Sequence, residues 1–251
     1  MAEFDRPSVA ARPGTATDID QGLRSYMLKV YNYMGIGLVI TGLVAYFSYT
    51  AAVVTNATGQ IVDLTSFGAA IFESPLRWVV ILAPLAFVLV LSFGISKLST
   101  PVAQILFWAF AAVMGLSLSS IFLVYTQTSI AQVFFISAAT FGAMSLYGYT
   151  TKRDLTQIGS FLMMGLIGIV IASVVNIFLH SSGLSFAISI VGVLVFVGLT
   201  AWDTQKIKES YSVGFGADVL AKGAIMGALS LYLDFINLFL MLLRLFGNQR
   251  N

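Results

Sequence analysis

Seven stretches of predominantly apolar residues, each about 20 residues long, recur along the chain with short polar connections between them. A stretch of that length crosses the roughly 30 Å hydrocarbon core of a bilayer as a helix. In lipid no water is present to satisfy backbone N–H and C=O groups, so each segment must satisfy its own. The chain is therefore expected to be an all-α membrane protein. Composition agrees, because 58% of the residues are hydrophobic and only 10% charged, against about 25% charged in ordinary soluble domains. With 251 residues there is little room for a separate soluble domain. A net charge of +2 gives no basis for nucleic-acid binding, and the lack of cysteine removes disulfides and thiolate chemistry.

The spans are expected at residues 26–50, 76–96, 101–125, 130–149, 158–179, 184–203 and 222–243, within a transmembrane domain of residues 25–251. Residues 1–24 are polar, include Arg6, Pro7, Arg12, Pro13 and Gly14, and read as a flexible cytoplasmic tail. Pro84 should kink or locally open the second span, whereas Pro101 suits the first turn of the third. Assigned by side, ten Lys and Arg fall with the N-terminus and three, Arg77, Arg244 and Arg250, on the other side. That asymmetry puts the N-terminus in the cytoplasm and, with seven spans, the C-terminus outside. A re-entrant last segment would bring Arg244 and Arg250 inside as well. A helix-compatible apolar stretch of about 22 residues favours a true span.

Glycine is abundant, at 22 residues, and clusters in runs such as Gly115-Leu116-Ser117 and Gly142-Ala143-Met144-Ser145. In lipid, where packing holds helices together, such residues are expected to let backbones approach closely. The hexapeptide from Gly142 to Tyr147 echoes that from Gly227 to Tyr232. Spans four and seven run in opposite directions, which fits an inverted repeat, but six residues of such composition fit coincidence better.

Acids inside the spans are scarce, and Asp234 is the most exceptional, because a carboxylate at bilayer depth needs a partner, a cavity or an ion. Ser230, Asp234, Asn237 and Met241 fall on one helical face as a polar seam. Asp203 closes the sixth span, where it could pair with Lys206 or Lys208, or meet Asp234. Two carboxylates sharing a low-dielectric site cannot both ionise cheaply, so such a pair titrates as a unit and forms a proton-sensitive latch. Two hard oxygens completed by water and carbonyls would also hold calcium weakly, as conduction requires. Depth opposes this pairing, since Asp203 lies near the interface and Asp234 is 12 residues beyond Lys222. Other chemistries fare worse: His180 is the lone histidine and sits at an outer turn, and no phosphate-loop, dinucleotide or zinc-helix motif is present. No cofactor is expected, and the chain does not read as an enzyme.

The stretches Ala201-Trp202-Asp203-Thr204-Gln205-Lys206 and Leu231-Tyr232-Leu233-Asp234-Phe235-Ile236-Asn237-Leu238-Phe239 resemble signatures of the Bax inhibitor-1 family. Tyr149-Thr150-Thr151-Lys152-Arg153-Asp154-Leu155 is similar to its bacterial members. The resemblance implies a seven-helix bundle with the C-terminal helix wrapped by the other six. It also implies a pH-sensitive calcium leak of the bacterial inner membrane, with Asp203 and Asp234 as sensor and weak calcium site. Members with a characterised leak carry an arginine near the cytoplasmic end of the second helix that can engage the aspartate pair, and here Lys97 is the nearest basic residue. Lys97, Asn237 and Lys206 are thus the expected supporting groups. The alternative is a non-conducting regulator that binds another membrane protein, such as a quality-control protease; a proton-coupled carrier is a third reading.

Overall fold

The computed structural model describes residues 16–57 and 60–250, with side chains described from residue 21 onward. Seven helices among these residues are long and apolar enough to span a membrane. In chain order they are α1 (Ala16–Ala52), α3 (Leu76–Gly94), α4 (Thr100–Leu118) with its short continuation α5 (Ile121–Val124), α6 (Gln127–Thr150), α7 (Thr156–Leu179), α8 (Ser182–Glu209) and α9 (Ala217–Phe246). Between α1 and α3 stand an antiparallel hairpin, β1 (Val53–Thr55) and β2 (Ile61–Leu64), and the short α2 (Ser66–Phe72). The expected 51–75 connection is therefore folded rather than an open loop.

Local chemistry accounts for the helix ends. The hydroxyls of Thr126 and Ser181 accept from the N–H groups of Ser129 and Leu184, capping α6 and α8. Pro101 occupies the first turn of α4, where its missing N–H costs nothing. Pro84 lies inside a helix that continues through it. The third span is not one continuous helix, since turn residues Ser119 and Ser120 separate α4 from α5. His180 closes α7 in the left-handed conformation at φ 50° and is exposed. Asp154, in the turn before α7, accepts from the backbone N–H of Thr156, and bonds from Thr156 hold its carboxyl below the ordinary aspartate range.

The last helix is the centre of the molecule. In its most apolar stretch 72% of residues are buried, against 6% for α7. Helices α1, α4, α6 and α8 pack directly on α9, while α3 leans mainly on α4 and α7 on α8. The wrapping is thus an inner wall of four with two outer helices. On the α1–α4 side Tyr232 is fully buried, with its ring edge-on to Phe107 and Phe110. Its hydroxyl lies 2.6 Å from that of Thr41, which also reaches the carbonyls of Gly37 and Ala111. The single Thr41 proton goes to a carbonyl, so Tyr232 is the donor to Thr41.

Helix α9 is a full crossing and not a re-entrant hairpin. Its 30 residues span about 45 Å, and the segment that follows pairs with the far ends of α1, α5 and α6. There Arg250 donates to the Tyr49 hydroxyl at 2.8 Å and to the carbonyl of Val124 at 2.8 Å, and Asn248 accepts from Thr126 N–H at 3.1 Å.

Three boundaries differ from the sequence expectation. Helix α1 begins at Ala16, so residues 16–24 are helical rather than tail, and residues 1–15 lie outside the described residues. Gly22 sits directly beneath the Tyr211 side chain, which ties this extension to the bundle. Helix α8 continues six residues past Asp203 to Glu209, and α9 starts five residues before Lys222. Charged residues beyond the lipid boundary read as a loop but are compatible with helix, because the segment outside lipid need not be apolar.

Candidate functional site

Antiparallel packing of α8 on α9 sets the register of the site. Gly192 faces Met241, and Ile207 faces Gly227. Between these contacts the carboxyls of Asp203 and Asp234 meet. The sequence offset between them closes because α8 continues six residues past Asp203 to Glu209 and α9 begins at Ala217, five residues before Lys222. Asp234 is 5% exposed, and its Oδ2 is enclosed with no hydrogen-bond partner among the described residues. A buried carboxylate oxygen left in that condition costs about 1–3 kcal/mol or more, so the pocket favours a shared proton or a cation. Lys206 is the cation that acts on Asp203, and its ammonium also lies 5.0 Å from the Trp202 ring centroid.

The other expected supporting groups stand elsewhere. Asn237 turns its amide back to the Leu233 carbonyl at 2.8 Å, so it satisfies its own helix instead of the pair. Lys97 is exposed in the α3–α4 turn and is not among the groups acting on either carboxyl. Thr100, three residues on, donates to Asp218, which also bonds Lys222 at 2.8 Å. Asp218 precedes Asp234 by 16 residues, or about 24 Å of helix, far beyond the reach of a lysine. The projecting start of α9 therefore meets this turn, and the pair lies deeper. The predicted seam survives in its spacing only: Gly227, Asp234 and Met241 face α8, and Asp234 alone of the three is polar.

Each residue of the stretch 201–206 makes a different contact. Gly148 of α6 lies against the Ala201 backbone, and Gly159 of α7 against the Trp202 indole. Asp203 meets Asp234. The Thr204 hydroxyl donates to the Thr200 carbonyl at 2.7 Å and thereby accepts from Ser145, which in turn accepts from Tyr31 at 2.6 Å. Gln205 holds the α6–α7 turn with both amide atoms, accepting from Leu155 N–H at 2.8 Å and donating to the Arg153 carbonyl at 2.8 Å. Lys208, one turn further, donates to the Tyr149 carbonyl at 2.8 Å, a favourable cation at the end of α6. Two of the sequence stretches, 149–155 and 201–206, thus form one unit around the inner end of α8.

Sequence reasoning missed Gln205, Thr204, Ser145 and Tyr31. Their only sequence signal is polarity within apolar windows, which a generic interhelical bond would equally explain. Replacing Gln205 with Leu leaves the Leu155 N–H and the Arg153 carbonyl without partners, and should cost about 2 kcal/mol. Unfolding in detergent by denaturant titration, together with faster amide exchange at Leu155, is the expected readout.

The fold and this core define a seven-helix integral membrane protein whose central helix carries a buried acid matched by a second from its neighbour. The family model described as inhibitor of apoptosis-promoting Bax1 matches residues 23–251, and the chain belongs to that family. Among its relatives, the inner membrane protein YbhL of Escherichia coli K12 is 51% identical over 231 residues, covering 91% of this chain and 94% of YbhL. A Rickettsia prowazekii protein is 51% identical over 232 residues, covering 92% and 93% of the two chains. A Caulobacter vibrioides protein is 43% identical over 253 residues, covering 100% of both.

Proposed function

We propose that this protein is a slow, pH-gated calcium leak of the bacterial inner membrane, with Asp203 and Asp234 as its latch and weak ion site. The observation that carries this reading is the contact between two carboxyls in the bundle core, one with an enclosed oxygen that has no hydrogen-bond partner among the described residues. With one proton shared, the pair joins α8 to α9. With both groups ionised, repulsion separates the helices and leaves hard oxygen ligands that suit calcium. Lys206 moderates that repulsion from the α8 side. Among the described residues no three acids or histidines cluster closely enough to hold a metal ion by themselves. Calcium prefers six to eight oxygens, so carbonyls and water would complete a loose shell, which permits release as well as entry. The charge asymmetry supports an N-terminus in the cytoplasm.

The test is calcium flux into proteoliposomes across a pH series. Flux through the wild-type protein should rise with pH. Asp203→Asn and Asp234→Asn, which can still hydrogen-bond but cannot ionise, should hold it near the closed level at every pH. Unchanged flux and pH response in both variants would sink the proposal. Absence of flux through pure wild-type protein would do so too, and would favour a non-conducting regulator of another membrane protein.

A further inference from the structure

Helices α1 and α6 both pack on α9 and leave a cleft between them that, among the described residues, only the Tyr31–Ser145 hydrogen bond bridges, below the Arg24 end. The cleft faces lipid. Its half nearer the start of α1 encloses about 670 Å³ between Arg24, Tyr31 and Gly35 on one wall and Gly142, Ser145 and Tyr149 on the other. Gly35 also borders the second half, about 660 Å³, which runs on towards Tyr46 and Gln127. Glycines shape these walls in an unexpected way. A Cβ at Gly35, Gly42 or Gly142 would meet nothing within 4 Å, so these residues hollow the cleft rather than draw two helices together.

Dimensions and charge indicate the occupant. Arg24 and Gly35 are eleven residues apart, about 16 Å along α1, which is half of a roughly 30 Å hydrocarbon core. Each half of the cleft is therefore about as long as one leaflet's hydrocarbon is thick. Division at Gly35 into two chambers suits flexible acyl chains better than a rigid helix of about 10 Å diameter. Arg24 is exposed at the mouth of the first half and has no acidic partner among the described residues. The mouth of the second half offers only Tyr46 and Gln127. A guanidinium binds phosphate oxygens through paired N–H donors, and the apolar floor below it includes Met27, Met34 and Phe141.

We propose that the Arg24 half of the α1–α6 cleft is a binding site for an anionic phospholipid, with its phosphate on Arg24 and an acyl chain over Gly35 and Gly142. The site discriminates by headgroup charge at this end of the cleft only. It is independent of the calcium reading, since it involves neither carboxyl of the pair.

The experiment uses the full chain in phosphatidylcholine nanodiscs doped with a photoactivatable phosphatidylglycerol, and in parallel with the matching phosphatidylcholine probe. Cross-linked peptides are mapped by mass spectrometry. Phosphatidylglycerol should label the facing walls of α1 and α6 more strongly than the exposed face of α7. It should exceed the phosphatidylcholine probe about fivefold, the worth of one basic residue at an anionic surface. Arg24→Gln should bring the two probes level, and Gly142→Leu, which fills open space, should clear both from the cleft. Size exclusion and melting confirm that the variants are folded; should Gly142→Leu not fold, Arg24→Gln decides alone. Even labelling of α1, α6 and α7, no headgroup preference, an unaltered Arg24→Gln pattern, or a second polypeptide cross-linked in the cleft would each overturn the proposal.

Discussion

Gly148→Ala should destabilise the protein by about 3 kcal/mol, at the upper end of what overpacking costs, whereas Gly142→Ala on the same helix should be neutral or slightly stabilising. The two substitutions add the same methyl group. At Gly148 that methyl would overlap the Ala201 carbonyl oxygen, and backbone cannot rotate away as a side chain can. Helix α6 must then move off α8. Movement there pulls on the 3.0 Å Ser145–Thr204 hydrogen bond less than one turn away and on the Lys208 bond to Tyr149 beside it. At Gly142 the methyl meets nothing within 4 Å, and alanine gains up to about 1 kcal/mol in helix propensity. Denaturant titration in detergent measures both, and equal stabilities would show that α6 and α8 do not approach as closely as described.

Tyr232→Ala should cost about 4 kcal/mol, in the range of large aromatic truncations in packed cores. The ring is fully buried between Phe107 and Phe110, so its removal opens a cavity at the junction of α1, α4 and α9. Tyr232→Phe retains the ring and loses only the bond donated to Thr41. Thr41 still donates to a carbonyl, and the cost should fall to about 1 kcal/mol. Thermal melting of the two variants separates packing from hydrogen bonding. A phenylalanine variant as unstable as the alanine one would assign the stability to the hydroxyl instead.

Much of the architecture was legible because lipid imposes it: length and hydropathy mark the crossings, and an acid such as Asp234 stands out against them. Asp203 was legible as a second rare acid, but its approach to Asp234 depends on two helix ends that hydropathy cannot locate. Residues 204–209 are charged or polar apart from Ile207, which packs on α9, yet they continue α8 because a helix that leaves the bilayer needs no all-round apolar surface. Lys97 was assigned to the pair by its position near the end of α3. The projection of α9 moves that turn to the level of Asp218 instead. The cleft was hidden for a different reason. A glycine in an apolar helix marks either a close contact, as at Gly148, or a hollow, as at Gly142, and only the neighbouring helix decides which.

The position of α9 at the centre of the bundle bears on how the protein is made. Ribosomes release α1 through α8 before the helix on which four of them pack, so those inward surfaces must wait in the bilayer for their common partner. Insertion of α9 carries Asp234 into the lipid, at about 3 kcal/mol on biological insertion scales, offset by the leucine, isoleucine and phenylalanine residues around it. The pairs α1–α4, α3–α4, α6–α8 and α7–α8 pack without α9, but the centre they surround is filled only by the final crossing. A chain interrupted in the 210–216 connection would contain these pairs around a missing central helix, with the inward surfaces of α1, α4, α6 and α8 left uncovered.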